Sequence, residues 1–438
     1  MKQIDQQYKD ESTSVIDFIG DSPSAFHAVD NLRKMLVTNE FDELRMTDEW
    51  QIEPGGHYFV RYNGTAIIAF IVPDGGSEEL AHSGFRMIAS HSDSPTFRIK
   101  PNSAYWRGGS LKFITETYGG AILYSWLDRP LGLAGRVILR SGDTLWPTQR
   151  LFDFERPIGV IPSVAIHFNR GVNEGTAFNK QIDMQILACA SSSDNFQFDI
   201  KEAIAKELDT NPDDILDYDL YAYDTTRGCL AGMDDSLVIC PKQDNLTMAY
   251  ESVKALCETS GSETAKMVIV FDNEEVGSGT KQGAGSTLVK DILQRICTKL
   301  GMDEEGFQRT VYNSFLVSAD MAHAVHPNHP ELSDPACCPC LNGGPVIKYN
   351  ASQKYMTDAD GAAVFSNICD EAGVPYQLFA NRSDIAGGST LGNIMTGHLP
   401  LRGVDVGNPM LGMHSSRETG GTLDALYLKV ALAKFLDI

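Results

Sequence analysis

Apolar and polar positions alternate in three regimes along the chain. Residues 10–38 repeat apolar side chains at helical spacing around a break at Gly20-Asp21-Ser22-Pro23. Ser22 followed by Pro23 predicts an N-cap with proline at the first helical position, and Phe26, Val29, Leu32 and Leu36 then share one face. Residues 57–72 read as two strands joined by Asn63-Gly64, the dipeptide of a tight hairpin turn, and 85–90 as another strand. From about 97 to 235 the character changes to short β-like runs (134–139, 159–168) separated by Gly, Pro, Asn and Asp, with one helical stretch near 199–208. The third regime restores an α/β rhythm. It has strands at 236–240, 267–271, 314–319 and 402–406, and helices from Asp244 to about Glu258, near 285–300, near 358–372 and at 422–437.

Strands alternating with helices predict an α/β fold, a mainly parallel sheet with helices on both faces. The expected organisation is one α/β unit, 1–96 with 236–438, interrupted by a mostly β insertion, 97–235. A length of 438 residues supports this division, since it exceeds what one core usually serves. There is no internal repeat.

Composition narrows the function more than the fold. With 42% apolar and 21% charged residues the chain reads as soluble and globular. A net charge of −22 argues against nucleic acid and anionic membranes as partners. Residues 1–11 are polar with no apolar signal core, and no run of eighteen apolar residues occurs. The nine cysteines, none before Cys189, suit reduced thiols and a cytoplasmic setting better than a disulfide framework. Cys337-Cys338-Pro339-Cys340 lacks a second Cys/His pair at zinc-finger spacing and reads as loop or buried thiols.

The candidate chemistry centres on residues 272–275, Asp-Asn-Glu-Glu, between the apolar run 267–271 and a glycine-rich loop. Ligands bind at the carboxyl ends of strands in open α/β sheets. In an extended segment Glu274 and Glu275 would point in opposite directions, one to a metal and one to a reacting water. His91 and Asp93 follow the strand at 85–90, Asp244 precedes a helix, Asp320 follows 314–319, and His414 comes eight residues after 402–406. His, Asp and Glu without cysteine form the donor set of a hydrolytic zinc, manganese or cobalt centre. Asp244, Glu275 and Asp320 alone would place about three negative charges in one crevice, which two divalent ions convert to roughly +1. The spacing of His91 and Asp93 lets the carboxylate accept the second ring N–H of the histidine. His323, His326 and His329 recur every three residues, but Pro327 and Pro330 break any helix, so they read as loop histidines.

Several stretches together resemble the aspartyl aminopeptidases. They are Ser90-His91-Ser92-Asp93-Ser94-Pro95, Thr115 to Gly120, Leu133 to Val137, Ala165 to Arg170 and Val172 to Gly175. Asp244-Asn245-Leu246, Asp272 to Ser278, Ala319 to Asn328, Gly344 to Lys348 and Gly412 to Glu418 complete the set, which runs from about residue 20 to the C-terminus. The resemblance implies a zinc-exopeptidase-like fold and two divalent metal ions, zinc first, with manganese or cobalt as alternatives. Asp244 would bridge the ions, with His91 and Asp320 at one and Glu275 and His414 at the other. Glu274 would be the general base, supported by Asp93, and His167 of the insertion would reach a neighbouring subunit's active site. Lys348 and Met413 would contact the substrate, Lys348 in a pocket for an acidic side chain. The implied partners are peptides with a free N-terminus and further copies of the chain, dimers assembled into a dodecamer. The same donor set also serves N-acyl amino acid deacylases and carboxypeptidases, and an idle assembly protein is the rival of another class.

Overall fold

Continuous buried runs decide where the central sheet forms. Ala66–Ile71 and Ala265–Phe271 are buried at every position, as strands covered on both faces require. The computed structural model describes residues 4–191, 198–259 and 263–438. Its nine-stranded sheet runs in the order Asp42–Leu44, His57–Tyr62, Ala66–Ile71, Ala265–Phe271, Phe85–His91, Phe315–Ala319, Arg402–Gly407, Val346–Tyr349, Gln377–Ala380. The four strands from Ala265–Phe271 to Arg402–Gly407 are mutually parallel, with Phe271 opposite His91 and Ala319 opposite Val406. Their carboxyl ends therefore share one edge, and the loops leaving it carry the candidate ligands.

Helices cover both faces, each over its own apolar cluster. Gln6–Gly20, Ala25–Thr38, Gln243–Glu258, Ala359–Ala372 and Asp424–Leu436 pack on one. Gly76–Ser83, Leu288–Lys299 and Glu304–Asn313 pack on the other. The turn Asn63-Gly64 has positive φ at both residues (54° and 76°), which is why asparagine and glycine stand there. No helix is long and apolar enough to cross a membrane among the described residues.

The insertion builds an antiparallel six-stranded sheet between residues 96 and 224, in the order Thr148–Asp153, Leu131–Leu139, Ile215–Asp224, Thr96–Arg107, Ser110–Tyr118, Ile186–Ala190. Cys229–Ala231 instead pairs with Leu237–Cys240 in a third, five-stranded sheet that also holds Pro409–Leu411 and Glu418–Gly421. That third sheet was not visible in the pattern, because its strands come from residues 229–240, 322–323 and 409–421, far apart in the chain.

Three local expectations change. The second helix begins at Ala25 with Ser24 as its N-cap, not at Ser22, because Ser22 is wholly buried and accepts a hydrogen bond from Asn31 Nδ2 at 3.2 Å. The run 159–168 makes only isolated bridges at Gly159, Val160 and Ile161. Beyond Pro162 it turns in solvent, with the Phe168 N–H bonded to the Ala165 carbonyl at 2.9 Å. Glu274 and Glu275 lie in a 3-10 turn, Glu274–Val276, rather than an extended segment, since Asn273 adopts a left-handed conformation (φ 62°) and the Gly277 N–H closes on the Glu274 carbonyl.

Candidate metal centre

The ends of the parallel strands converge on Asp244. Its Oδ1 lies 3.6 Å from His91 Nε2, and its Oδ2 lies 3.3 Å from His414 Nε2. His91 Nε2 is also 3.6 Å from Asp320 Oδ1, and His414 Nε2 is 3.4 Å from Glu275 Oε2. The two oxygens of Asp244 thus face two separate histidine–carboxylate pairs. Ligand atoms of His91, Asp244 and Glu275 all fall within 4.8 Å of one another.

The residues hold this arrangement through their neighbours. His91 Nδ1 sits 3.0 Å from the Asp93 carbonyl and 3.3 Å from Asp93 Oδ1. Asp93 in turn accepts the backbone N–H groups of Glu274 (3.2 Å) and Glu275 (3.1 Å), so one carboxylate orients a histidine and fixes the adjacent acidic turn. Tyr118, at the end of an inserted strand, donates to Asp93 Oδ2 at 2.7 Å and receives a bond from Asn273 Nδ2 at 2.8 Å. Glu418 accepts the N–H of Asp244 (3.1 Å) and of His414 (2.9 Å). His414 itself lies at φ 69°, between the antiparallel strands Pro409–Leu411 and Glu418–Gly421, with Nδ1 3.3 Å from the Gly120 carbonyl. Gly407 has no room for a side chain: a Cβ would lie 1.8 Å from the Asp320 carbonyl oxygen. Tyr118 and Glu418 fall inside stretches that the sequence marks, but their supporting contacts were not predicted.

The electrostatics ask for a cation. Asp244 Oδ1 and Glu275 Oε1 are buried without a hydrogen-bond partner, a costly state for an acid. Burial first, then the charge of Asp244, pushes the Glu275 carboxyl well above the usual carboxylate range. Burial lifts Glu274 to about 8 against the pull of His91, with Asp320, Asp93 and Asp244 adding to the rise. Burial by itself lowers His91, but its bonds to Asp320 and Asp93 prevail and raise it well above the ordinary imidazole range. A divalent ion relieves these penalties at once, so the donor set fits a metal.

Beside this cluster opens a cleft of about 220 Å³, walled by Glu274, Asp320, His323, Tyr355, Phe379, Met413 and His414. Lys348 lies in its wall, 2% exposed, donating to the carbonyls of Asp320 (2.8 Å) and Met321 (3.2 Å), with Asp320 Oδ2 at 3.7 Å. His323 joins the wall, whereas His326 and His329 stand exposed in the following loop. The cysteines at 337, 338 and 340 are free thiols, the last two exposed. His167 does not line this chain's cleft and is exposed in the insertion.

An acid-and-histidine cluster at the carboxyl edge of a mainly parallel sheet defines a metallohydrolase of the zinc-exopeptidase type. Residues 18–436 match the family described as Aminopeptidase I zinc metalloprotease (M18). A probable M18 family aminopeptidase 2 of Clostridium acetobutylicum is 45% identical over 426 residues, covering 97% of this chain and 98% of that protein. The structure of Ape4 in complex with Nbr1 superposes with a TM-score of 0.93 at 35% identity, covering 100% of this chain and 87% of that one. The S. cerevesiae mApe1 dodecamer gives 0.84 at 26% identity, over 98% and 97% of the two chains. The chain belongs to the M18 family and is a metal-dependent aminopeptidase.

Proposed function

We propose that the protein removes acidic residues, Asp or Glu, from the free N-terminus of peptides, using two divalent ions held around Asp244. His91 and Asp320 would hold one ion, and Glu275 and His414 the other. When bound, the ions supply Lewis acidity that polarises the scissile carbonyl and makes water a usable nucleophile near neutral pH. Glu274 takes the proton of the attacking water and returns it to the leaving amine. Its carboxylate borders the cleft, and the Asp93 bond to its N–H keeps that carboxylate in register. Asp93 also fixes the ring of His91.

Lys348 carries the specificity. It is the one Lys or Arg among the described residues lining the cleft, and an unpaired acid entering a wall that is otherwise acidic needs that charge. Met413 would pack against the same side chain. Lys348→Met is expected to lower kcat/KM for an N-terminal Asp peptide about 10²-fold, roughly 3 kcal/mol, while an N-terminal Ala peptide loses far less. Equal losses on both would assign Lys348 to holding Asp320 and not to selectivity.

A second copy of the chain completes the proposal. Val164, Ile166, Phe168 and Ile182 of the insertion are 60%, 52%, 88% and 69% exposed, an apolar surface that suits burial in a homo-oligomer; the similar mApe1 is a dodecamer. His167 stands among them and would reach the partner's cleft to steady the tetrahedral intermediate. Phe168→Asp is expected to shift the sedimentation profile to smaller species and to lower turnover together. A variant that keeps its assembly would remove this surface from the interface. The reduced thiols fit a cytoplasmic protein.

A further inference from the structure

A second cavity, of about 270 Å³, shares no lining residue with the catalytic cleft. It lies where the start of helix Ala25–Thr38, the inserted strands Thr96–Arg107 and Ile215–Asp224, and Lys242 meet. Five carboxylates border it, and each is already satisfied. Asp219 binds Arg98 through one oxygen and Arg136 through the other. Asp224 accepts from Arg417 (3.1 Å) and from the Thr226 N–H (2.9 Å). Asp272 accepts from the Asn273 N–H (2.8 Å) and from Gln282 Nε2 (3.2 Å). Asp93 and Glu418 are taken up by the backbone N–H groups and the Tyr118 hydroxyl described above.

The unsatisfied groups on this wall include the Lys242 ammonium and the neutral Gln282 Oε1, which is buried without a hydrogen-bond partner. The Lys242 ammonium donates to the Ser22 carbonyl, and among the described residues no carboxylate lies within ion-pair distance of it. Two of its three donors are therefore free. Its backbone sits at φ 55°, a left-handed conformation that a non-glycine residue adopts at some cost. Arg98 and Arg136 share Asp219, and Arg136 also donates to the Asn63 carbonyl at 3.0 Å, so Lys242 is the lining cation without a carboxylate partner among the described residues. An occupant that accepts hydrogen bonds and carries negative charge would satisfy Lys242. The volume sits at the small end of ligand sites and suits one amino acid rather than a peptide.

We propose that this cavity binds a small carboxylate of amino-acid size, its carboxylate seated on Lys242. Tyr118 and Asp93 form part of the same wall, and through Asp93 they fix the backbone of Glu274 and Glu275. Occupancy is thereby coupled to the acidic turn, so the ligand changes kcat without competing for the cleft.

The test titrates the metal-loaded protein with N-acetylglycine, which has no free α-amino group, by calorimetry and in steady-state kinetics. Saturable binding, a change in kcat at constant KM, and at least about a tenfold loss of affinity in Lys242→Met are expected. Arg98→Gln, at a side chain paired with Asp219 and not with a metal ligand, is expected to weaken binding as well, and it serves if Lys242→Met does not fold. Binding that raises KM alone and is unchanged in both variants would place the probe in the cleft and overturn the proposal, as would no binding at about 20 mM. Lys242-dependent binding of inorganic phosphate, with none of N-acetylglycine, would overturn the ligand class. The binding arm reads out independently of peptide selectivity.

Discussion

Glu274→Gln is expected to lower kcat by about 10²–10⁴ while the metal content of the purified protein stays at its wild-type value. The magnitude is that of losing a positioned general base. The expectation of unchanged metal follows from geometry. His414 lies against Asp244 and Glu275, and His91 against Asp244 and Asp320, and none of these contacts uses the Glu274 side chain. Glutamine keeps the backbone N–H that Asp93 accepts, so the turn is retained and only the proton acceptor is lost. KM should move little. Elemental analysis beside kcat decides the case: a variant that loses its metal would make Glu274 a ligand, and one that keeps full turnover would remove it as the base.

Removing the metal is the second large effect, and it carries a pH signature. Chelation should abolish turnover. It should also leave a protein whose stability falls as pH rises. Glu274 has a folded value of about 8 against an ordinary 4.5. A group raised on folding stabilises below its unfolded value, and that contribution is lost as pH climbs through the folded one. The loss for Glu274 between about pH 4.5 and 8 is at most about 5 kcal/mol. Glu275 and His91, both raised, act in the same direction. Asp320 is held down by Lys348 and His91 against its burial, and works the other way only in strong acid. The metal-free Tm should therefore drop from pH 5 to pH 8, and the metal-loaded Tm should exceed it by a margin that widens over that range. A margin that is constant with pH would show that these acids are not the groups the metal relieves.

Much of the site was legible because a parallel sheet makes strand ends coincide. His91, Glu275 and Asp320 each follow a buried run by a few residues, and the register that sets Phe271 opposite His91 does the rest. Asp244 was readable as a metal-type side chain before a helix, although its non-helical backbone was not. His414 was harder. Its place depends on the third sheet, whose strand Glu418–Gly421 pairs with Leu237–Cys240 far back in the chain. No local pattern encodes that pairing. Tyr118 and Glu418 escaped for the same reason: an ordinary tyrosine and glutamate become positioning residues only through contacts 25 and 174 positions away in sequence. The run 159–168 misled because apolar alternation marks either a strand or a surface awaiting a partner, and Phe168 is exposed.

The most direct test of the account is release of the first residue from peptides beginning with Asp, Glu, Leu, Lys, Ala or acetyl-Asp, with and without chelator. Chelator-sensitive release of Asp and Glu ahead of the others is expected, with acetyl-Asp peptides untouched. Cleavage of acetyl-Asp peptides, or release that survives complete metal removal, would contradict it.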